Sequence, residues 1–244
     1  MIIDGYCTCG VERETNLSPE ALLRQMEHAG VGRAVIAPED REIALHNTTG
    51  NERIASLAAR SEGRFIAACT VSPWHGEDAP RLLEQAVDAG ARMLVFAPAL
   101  QGFNPCDELV DPLLQAAAEN KLPVYFHTGP HSTGGPTQVA LLAARHPRTK
   151  FILGHCGSTD LAWDMPAVLK MNLANIWCEL SFVRPWAIPG YAAIADESRF
   201  IFASSAPRND LPFELQQANR FWPIAEHPGT YGDNLHMLLS EVTR

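Results

Sequence analysis

What most constrains this chain is a unit repeated from one end to the other, a short apolar run of strand length followed by a segment of helix length. The runs are MIID, RAVIAP, RFIAACTV, ARMLVFAP, LPVYFHTG, TKFILGHCG, ANIWCELS and RFIFASS. Between them lie amphipathic stretches such as SPEALLRQMEHAG, DAPRLLEQAVDAG and CDELVDPLLQAAAENK. Strands that are apolar throughout, rather than alternately polar, are buried on both faces, as in a parallel sheet covered by helices. Eight such runs in 244 residues predict an α/β fold, a (β/α)8 TIM barrel, a closed form that typically takes about 250 residues. A doubly wound open sheet is the competing architecture, but no glycine-rich dinucleotide loop follows any of the runs.

Local signals agree with the alternation. Ser18 is placed to cap a helix, Pro19 fits its first position and Gly30 its end, while Leu22, Leu23 and Met26 share one face. A second helical stretch is predicted from about 40 to 62. The 18 prolines punctuate many short units and nothing reads as a linker, so residues 1–244 are expected to form one domain.

Asp and Glu number 28 against 19 Lys and Arg, a net charge of −9, which argues against a nucleic-acid binder because such a protein needs a concentrated positive field. Small anions remain within reach of a single arginine. No run is apolar enough over a membrane-spanning length and no basic leader precedes an apolar core, so no membrane partner is expected and a cytoplasmic protein is the expectation. Six cysteines in a chain of this length do not make a disulfide scaffold.

A parallel barrel builds its chemistry where strands run out into loops at the C-terminal face. Here those ends read IIDGYCTCG, APALQGFNP, PVYFHTG, FILGHCG and RFIFASSAP, followed by YGDNLHMLL near the close. In this order they resemble the amidohydrolase-related barrels of the amidohydrolase 2 type, a group that includes small-acid decarboxylases, lactone hydrolases and hydratases. The resemblance covers essentially the whole chain and implies an amidohydrolase-like barrel, homo-dimers or larger assemblies, and one or two divalent metals, often zinc. In that family a His-x-His pair ends strand one, single histidines end strands five and six, and an aspartate ends strand eight. Carried over position by position, the pair falls on Tyr6 and Thr8, the single histidines on His127 and His155, and the aspartate on Ser205. A lysine and histidine found at strand four of some relatives fall on Val95 and Ala97. The resemblance is therefore to a divergent member lacking most metal ligands.

Two histidines fall short of the three protein ligands a catalytic zinc normally has, and a phenol of pKa about 10 or a threonine hydroxyl does not replace the missing ones. No cofactor is expected. The open alternative is a zinc site rebuilt from Cys7, Cys9, Cys156 or Glu179. Strand alternation argues against it, because Cys7 and Cys9 should point away from the side shared by Tyr6 and Thr8.

His127, His155 and Tyr6 are the candidate catalytic groups, since imidazole titrates near neutrality and a phenol can serve as an acid. Tyr6 has a second reading, as a ring that fills the space an absent ion leaves. Arg184 and Arg208, beyond strands seven and eight, are placed to hold a substrate carboxylate, or else form surface ion pairs. Thr8, Ser205, His131, Trp74 and Trp186 complete the expected substrate-binding set. Glu179 either orients a pocket histidine or arginine, or meets a peripheral cation. The expected activity is that of a metal-independent hydrolase or lyase acting on a small anionic, cyclic or aromatic substrate by decarboxylation, dehydration or cyclisation. Two alternatives stand beside it: a non-catalytic ligand-binding or scaffold protein, and a hydrolase with a rebuilt metal site.

Overall fold

The computed structural model describes residues 1–11, 15–129, 134–158 and 161–243. Eight parallel strands form the barrel wall: β1 (Ile2–Thr8), β2 (Val31–Ala37), β3 (Phe65–Cys69), β4 (Met93–Phe96), β5 (Val124–His127), β6 (Phe151–Gly154), β7 (Ile176–Glu179) and β8 (Phe200–Ile201). They are joined in sequence order, each to the next, as the eight apolar runs predicted. A short ribbon of Gly10–Val11 with Asn16–Leu17 lies outside the wall.

Closure is made by hydrogen bonds from the chain following β8 back to β1. Gly5 N donates to Phe202 O at 2.9 Å, Ser205 N to Tyr6 O at 3.0 Å and Thr8 N to Ala206 O at 2.8 Å. The seam requires a glycine at position 5, since a Cβ there would stand 2.9 Å from Phe202 O. A fully buried carboxylate reinforces it: Asp4 accepts from Ser204 N at 2.8 Å, from Ser204 Oγ at 2.5 Å and from Tyr6 N at 3.3 Å.

Two apolar layers follow from strand alternation. Tyr6, Val35, Ile66, Val95, Tyr125, Ile152 and Ile201 fill the barrel interior. Cys7, Ile36, Leu94, Phe126, Leu153 and Cys178 face outward onto helices that supply Leu22, Met26, Leu83 and Leu114. Each large side chain buried this way contributes about 1.5–3 kcal/mol over leaving it in water. Ser18 caps the helix Pro19–Ala29 by accepting from Ala21 N at 3.2 Å, and Gly30 ends it at φ 71°.

The helix predicted over 40–62 is two, Asp40–Ala44 and Asn47–Ala59. Asn47 breaks it by turning its side-chain amide back onto the carbonyls of Glu42 and Ile43, at 2.9 and 2.8 Å, which satisfies the first helix's last acceptors. No helix among the described residues is long and apolar enough to cross a membrane.

Candidate active site

The strand ends enclose a cavity of about 310 Å3. His127 and Thr128 reach it from β5, His155 and Ser158 from the end of β6, Phe182 from β7, and Ser205 and Arg208 from β8. Ala97, Pro98 and Leu100 form an apolar side after β4. Four of the lining residues, none a glycine, have left-handed backbone: His155 at φ 65°, Ser158 at 53°, Phe182 at 58° and Ser205 at 58°. Each such residue costs about 1–2 kcal/mol, and strain of this kind collects where a site needs particular directions from its side chains.

Behind the cavity wall runs an unbroken line of hydrogen bonds. The Tyr6 hydroxyl lies 2.9 Å from His127 Nε2, and His127 Nδ1 lies 2.9 Å from His155 Nε2. His155 Nδ1 lies 2.6 Å from Ser181 Oγ, which is 3.0 Å from Glu179 Oε2. Glu179 is wholly buried, yet it is well supplied with donors. Its Oε2 accepts from the Tyr125 hydroxyl at 2.7 Å and from His155 N at 3.0 Å, and its Oε1 accepts from Ser181 N. Gly154 makes room for this convergence, because a Cβ there would stand 2.3 Å from the Tyr125 hydroxyl oxygen. Tyr125 in turn stacks on Tyr6, ring centroids 4.7 Å apart.

Burial governs the protonation of these groups. It holds His127 well below its ordinary value, with His155 and Arg208 adding to the effect, and it lowers His155 despite the opposing pull of Glu179. Both imidazoles are therefore neutral at pH 7. Burial also drives the Tyr6 and Tyr125 phenols well above their ordinary range, so both remain protonated. Asp4, at the seam, is pushed up to about 7 by desolvation that its three donors only partly offset.

This donor set does not fit a divalent metal. His127 and His155 aim nitrogens at each other, and the remaining nitrogen of each is taken by Tyr6 or Ser181. Among the described residues no group of three or more His, Cys, Asp or Glu is arranged to hold an ion. Cys7 points outward, its Sγ 3.3 Å from Val35 O, and Cys9 lies in the same outer layer. Cys156 Sγ is held 3.2 Å from the Glu179 carbonyl. The rebuilt zinc centre thus has no constellation among these residues.

Of the residues expected to meet at a site, His127, His155, Ser205 and Arg208 border the cavity. Tyr6 is buried and does not itself border the cavity, but joins them through its hydroxyl on His127 Nε2. Arg208 pairs with Asp40, which also lines the cavity. Four expected residues are corrected. Arg184 lies over the exposed Trp186 ring, 5.4 Å from its centroid, so neither lines the cavity. Trp74 is turned aside by a hydrogen bond from its Nε1 to Gln101 O at 2.9 Å. Thr8 is engaged in the seam and does not border the cavity either. His131 lies outside the described residues. Ser181 and Tyr125 are new members. The period of two was the signal for both, since Tyr125 shares a face with His127 and Ser181 with Glu179.

Comparison with known structures shows the same fold. The chain superposes on a putative amidohydrolase from Staphylococcus aureus with a TM-score of 0.80 at 15% identity, covering 98% of this chain and 99% of the other. It superposes on 5-carboxyvanillate decarboxylase from Novosphingobium aromaticivorans, a structure with bound manganese, at 0.79 and 16%, covering 98% and 97%. It also superposes on 2,6-dihydroxybenzoate decarboxylase from Rhizobium at 0.76 and 15%, covering 98% of each. At such identities these likenesses speak for the fold alone. No curated protein matches by sequence. The sequence profile of the Amidohydrolase family matches residues 11–235, nearly the full length, and the chain belongs to that family.

Proposed function

We propose that this protein is a metal-independent acid–base enzyme, of lyase or hydrolase type, acting on a small anionic single-ring substrate. The observation that carries the reading is a pair of neutral imidazoles, His127 and His155, bonded to one another at the wall of a cavity that also receives Arg208. A guanidinium offers five N–H donors, so Arg208 can hold a substrate carboxylate beside Asp40. The apolar side made by Pro98, Leu100 and Phe182 suits the flat face of a ring. A volume of about 310 Å3 is at the small end for ligand pockets and favours one ring over several.

Water is a poor nucleophile unless something lowers its pKa, and this donor set offers no place for the metal that does so in a metallohydrolase. Decarboxylation, dehydration or cyclisation asks only for protons to be moved, so the lyase reactions suit these residues better than amide hydrolysis. Aromatic acids are the first substrates to try, in keeping with the decarboxylases that share the fold.

A second reading, a ligand-binding protein without turnover, is favoured by one observation. All four imidazole nitrogens already have partners within the protein. The two readings separate in one experiment. Hydroxylated single-ring acids and lactones are screened in the presence of chelator for binding by calorimetry and for product by chromatography, alongside His127→Gln, His155→Gln and Arg208→Ala. Turnover that both histidine variants lose, with weaker binding in the arginine variant, supports the enzyme. Binding without product in any form leaves the ligand-binding protein.

A further inference from the structure

We infer that Glu179, acting through Ser181, is the positioning residue that gives the hydrogen-bonded line a single direction and fixes both histidines in the Nδ1–H form. The argument begins with what cannot be reversed. The backbone N–H groups of His155 and Ser181 only donate, and they reach Oε2 and Oε1 of Glu179 respectively, so both carboxylate oxygens are acceptors. An ionised carboxylate has no proton to give, so Ser181 Oγ donates to Glu179 and, its one proton spent there, accepts from His155 Nδ1–H. A neutral imidazole carries one proton, so His155 Nε2 is bare and accepts from His127 Nδ1–H. His127 Nε2 is bare in turn and accepts from the Tyr6 hydroxyl. Every step follows from the one before, and the order starts at a residue that does not border the cavity.

The arrangement bears on the chemistry, a step that rests on the acid–base reading above. A ligand group that displaces the Tyr6 hydroxyl from His127 meets a bare Nε2. When that nitrogen takes the ligand's proton, His127 Nδ1–H passes to His155 Nε2, His155 Nδ1–H to Ser181 Oγ, and the serine proton to Glu179 Oε2. One proton leaves the ligand and one reaches the carboxylate, with no electron pair left unaccounted for. The buried negative charge moves from Glu179 to the ligand, where Arg208 stands. Neither imidazole need carry a net charge at the end, which suits two rings whose charged forms burial disfavours.

The test needs no substrate. In protein labelled with 15N at histidine, NMR distinguishes a ring protonated at Nδ1 from one protonated at Nε2. Wild type should show both His127 and His155 as the Nδ1–H tautomer at pH 7. Glu179→Gln places a donor beside Ser181 and should shift at least His155 toward Nε2–H, while Glu179→Asp should keep the wild-type form. Ser181→Ala is a smaller change, which cuts the same link should the Gln variant fold poorly, and it should also release His155. Wild-type rings protonated at Nε2, or tautomers unchanged in both Glu179→Gln and Ser181→Ala with native circular dichroism, would overturn the inference. If the tautomers behave as stated but no acid is turned over, the acid–base reading alone fails. Turnover that depends on the histidines but is indifferent to Glu179→Gln removes the positioning role alone.

Discussion

Tyr6 and His127 meet edge to face, their ring centroids 4.8 Å apart and their planes at 87°, with the phenol oxygen 2.9 Å from the imidazole Nε2. The tyrosine thus fills the interior and supplies a donor in the same stroke, and its two roles respond differently to substitution. Tyr6→Phe keeps the stack on Tyr125 and removes only the hydroxyl. Leaving His127 Nε2 without its donor should cost about 1–2 kcal/mol. Tyr6→Ala also empties the space of a ring and should cost about 3–5 kcal/mol. Urea denaturation of both variants measures the difference. A Phe variant as stable as wild type would reduce Tyr6 to a space-filling ring.

The engagement of all four imidazole nitrogens leads to a second expectation. Wild-type protein dialysed against zinc or manganese should retain no ion at one per chain, and neither added metal nor chelator should move its melting temperature. Holding an ion would require breaking the bond between His127 and His155. Elemental analysis together with a thermal scan provides the check. One tightly held ion per chain, lost in His127→Gln, would contradict the geometry.

The barrel was legible in the sequence because its cause is local and repeated: apolar strands, helix-length spacers, and Ser18, Pro19 and Gly30 at the helix ends. The histidines were legible too, since each stands where an apolar strand stops. The loop residues were less so. Arg184 and Arg208 look alike in the sequence, each a few residues past a strand, yet one lies over Trp186 and the other meets Asp40 at the cavity. That choice depends on contacts between segments far apart in the chain, and Asp40 to Arg208 is such a pair. Asp4 escaped notice for a different reason. It reads as the polar end of a short strand, whereas β1 continues to Thr8 and buries it at the seam.

Asp4 gives the stability a pH dependence of definite sign. Its folded-state value of about 7 lies above the 3.8 of an ordinary aspartate, so the folded protein binds this proton more tightly than the unfolded chain. The resulting stability is fully present below about pH 4 and is lost as pH rises through 7, by an amount on the order of 4 kcal/mol. His127 and His155 act oppositely. Their folded values are depressed, so their contribution is present above about 6.5 and is lost as pH falls. Comparison with Asp4→Asn isolates the carboxylate, since asparagine can still accept from Ser204 N but never ionises. The variant should gain steadily on wild type between pH 4 and 8 in chemical denaturation. A difference independent of pH would mean that Asp4 does not titrate in this range.

The left-handed backbone at Ser205 offers the last test, because strain kept for a site should be separable from strain that merely turns the chain. Ser205→Gly removes a penalty of about 1–2 kcal/mol and adds back about 0.5–1 kcal/mol through the freer unfolded chain, a net gain of up to about 1.5 kcal/mol. It preserves the backbone bonds from Ser205 N to Tyr6 O and from Arg208 N to Ser205 O, so the turn that carries Arg208 should persist. What it deletes is a hydroxyl at the cavity wall, and a lost hydrogen bond of about 0.5–1.5 kcal/mol weakens a bound acid by about 2- to 10-fold. Glu62, at φ 53° in an exposed turn, is the control: Glu62→Gly should gain similar stability with no change in affinity for the same acid. Denaturation and calorimetry on the two variants decide the matter. If Ser205→Gly is stabilised and binds the acid as well as wild type does, the bend serves the path of the chain and the hydroxyl has no part in recognition.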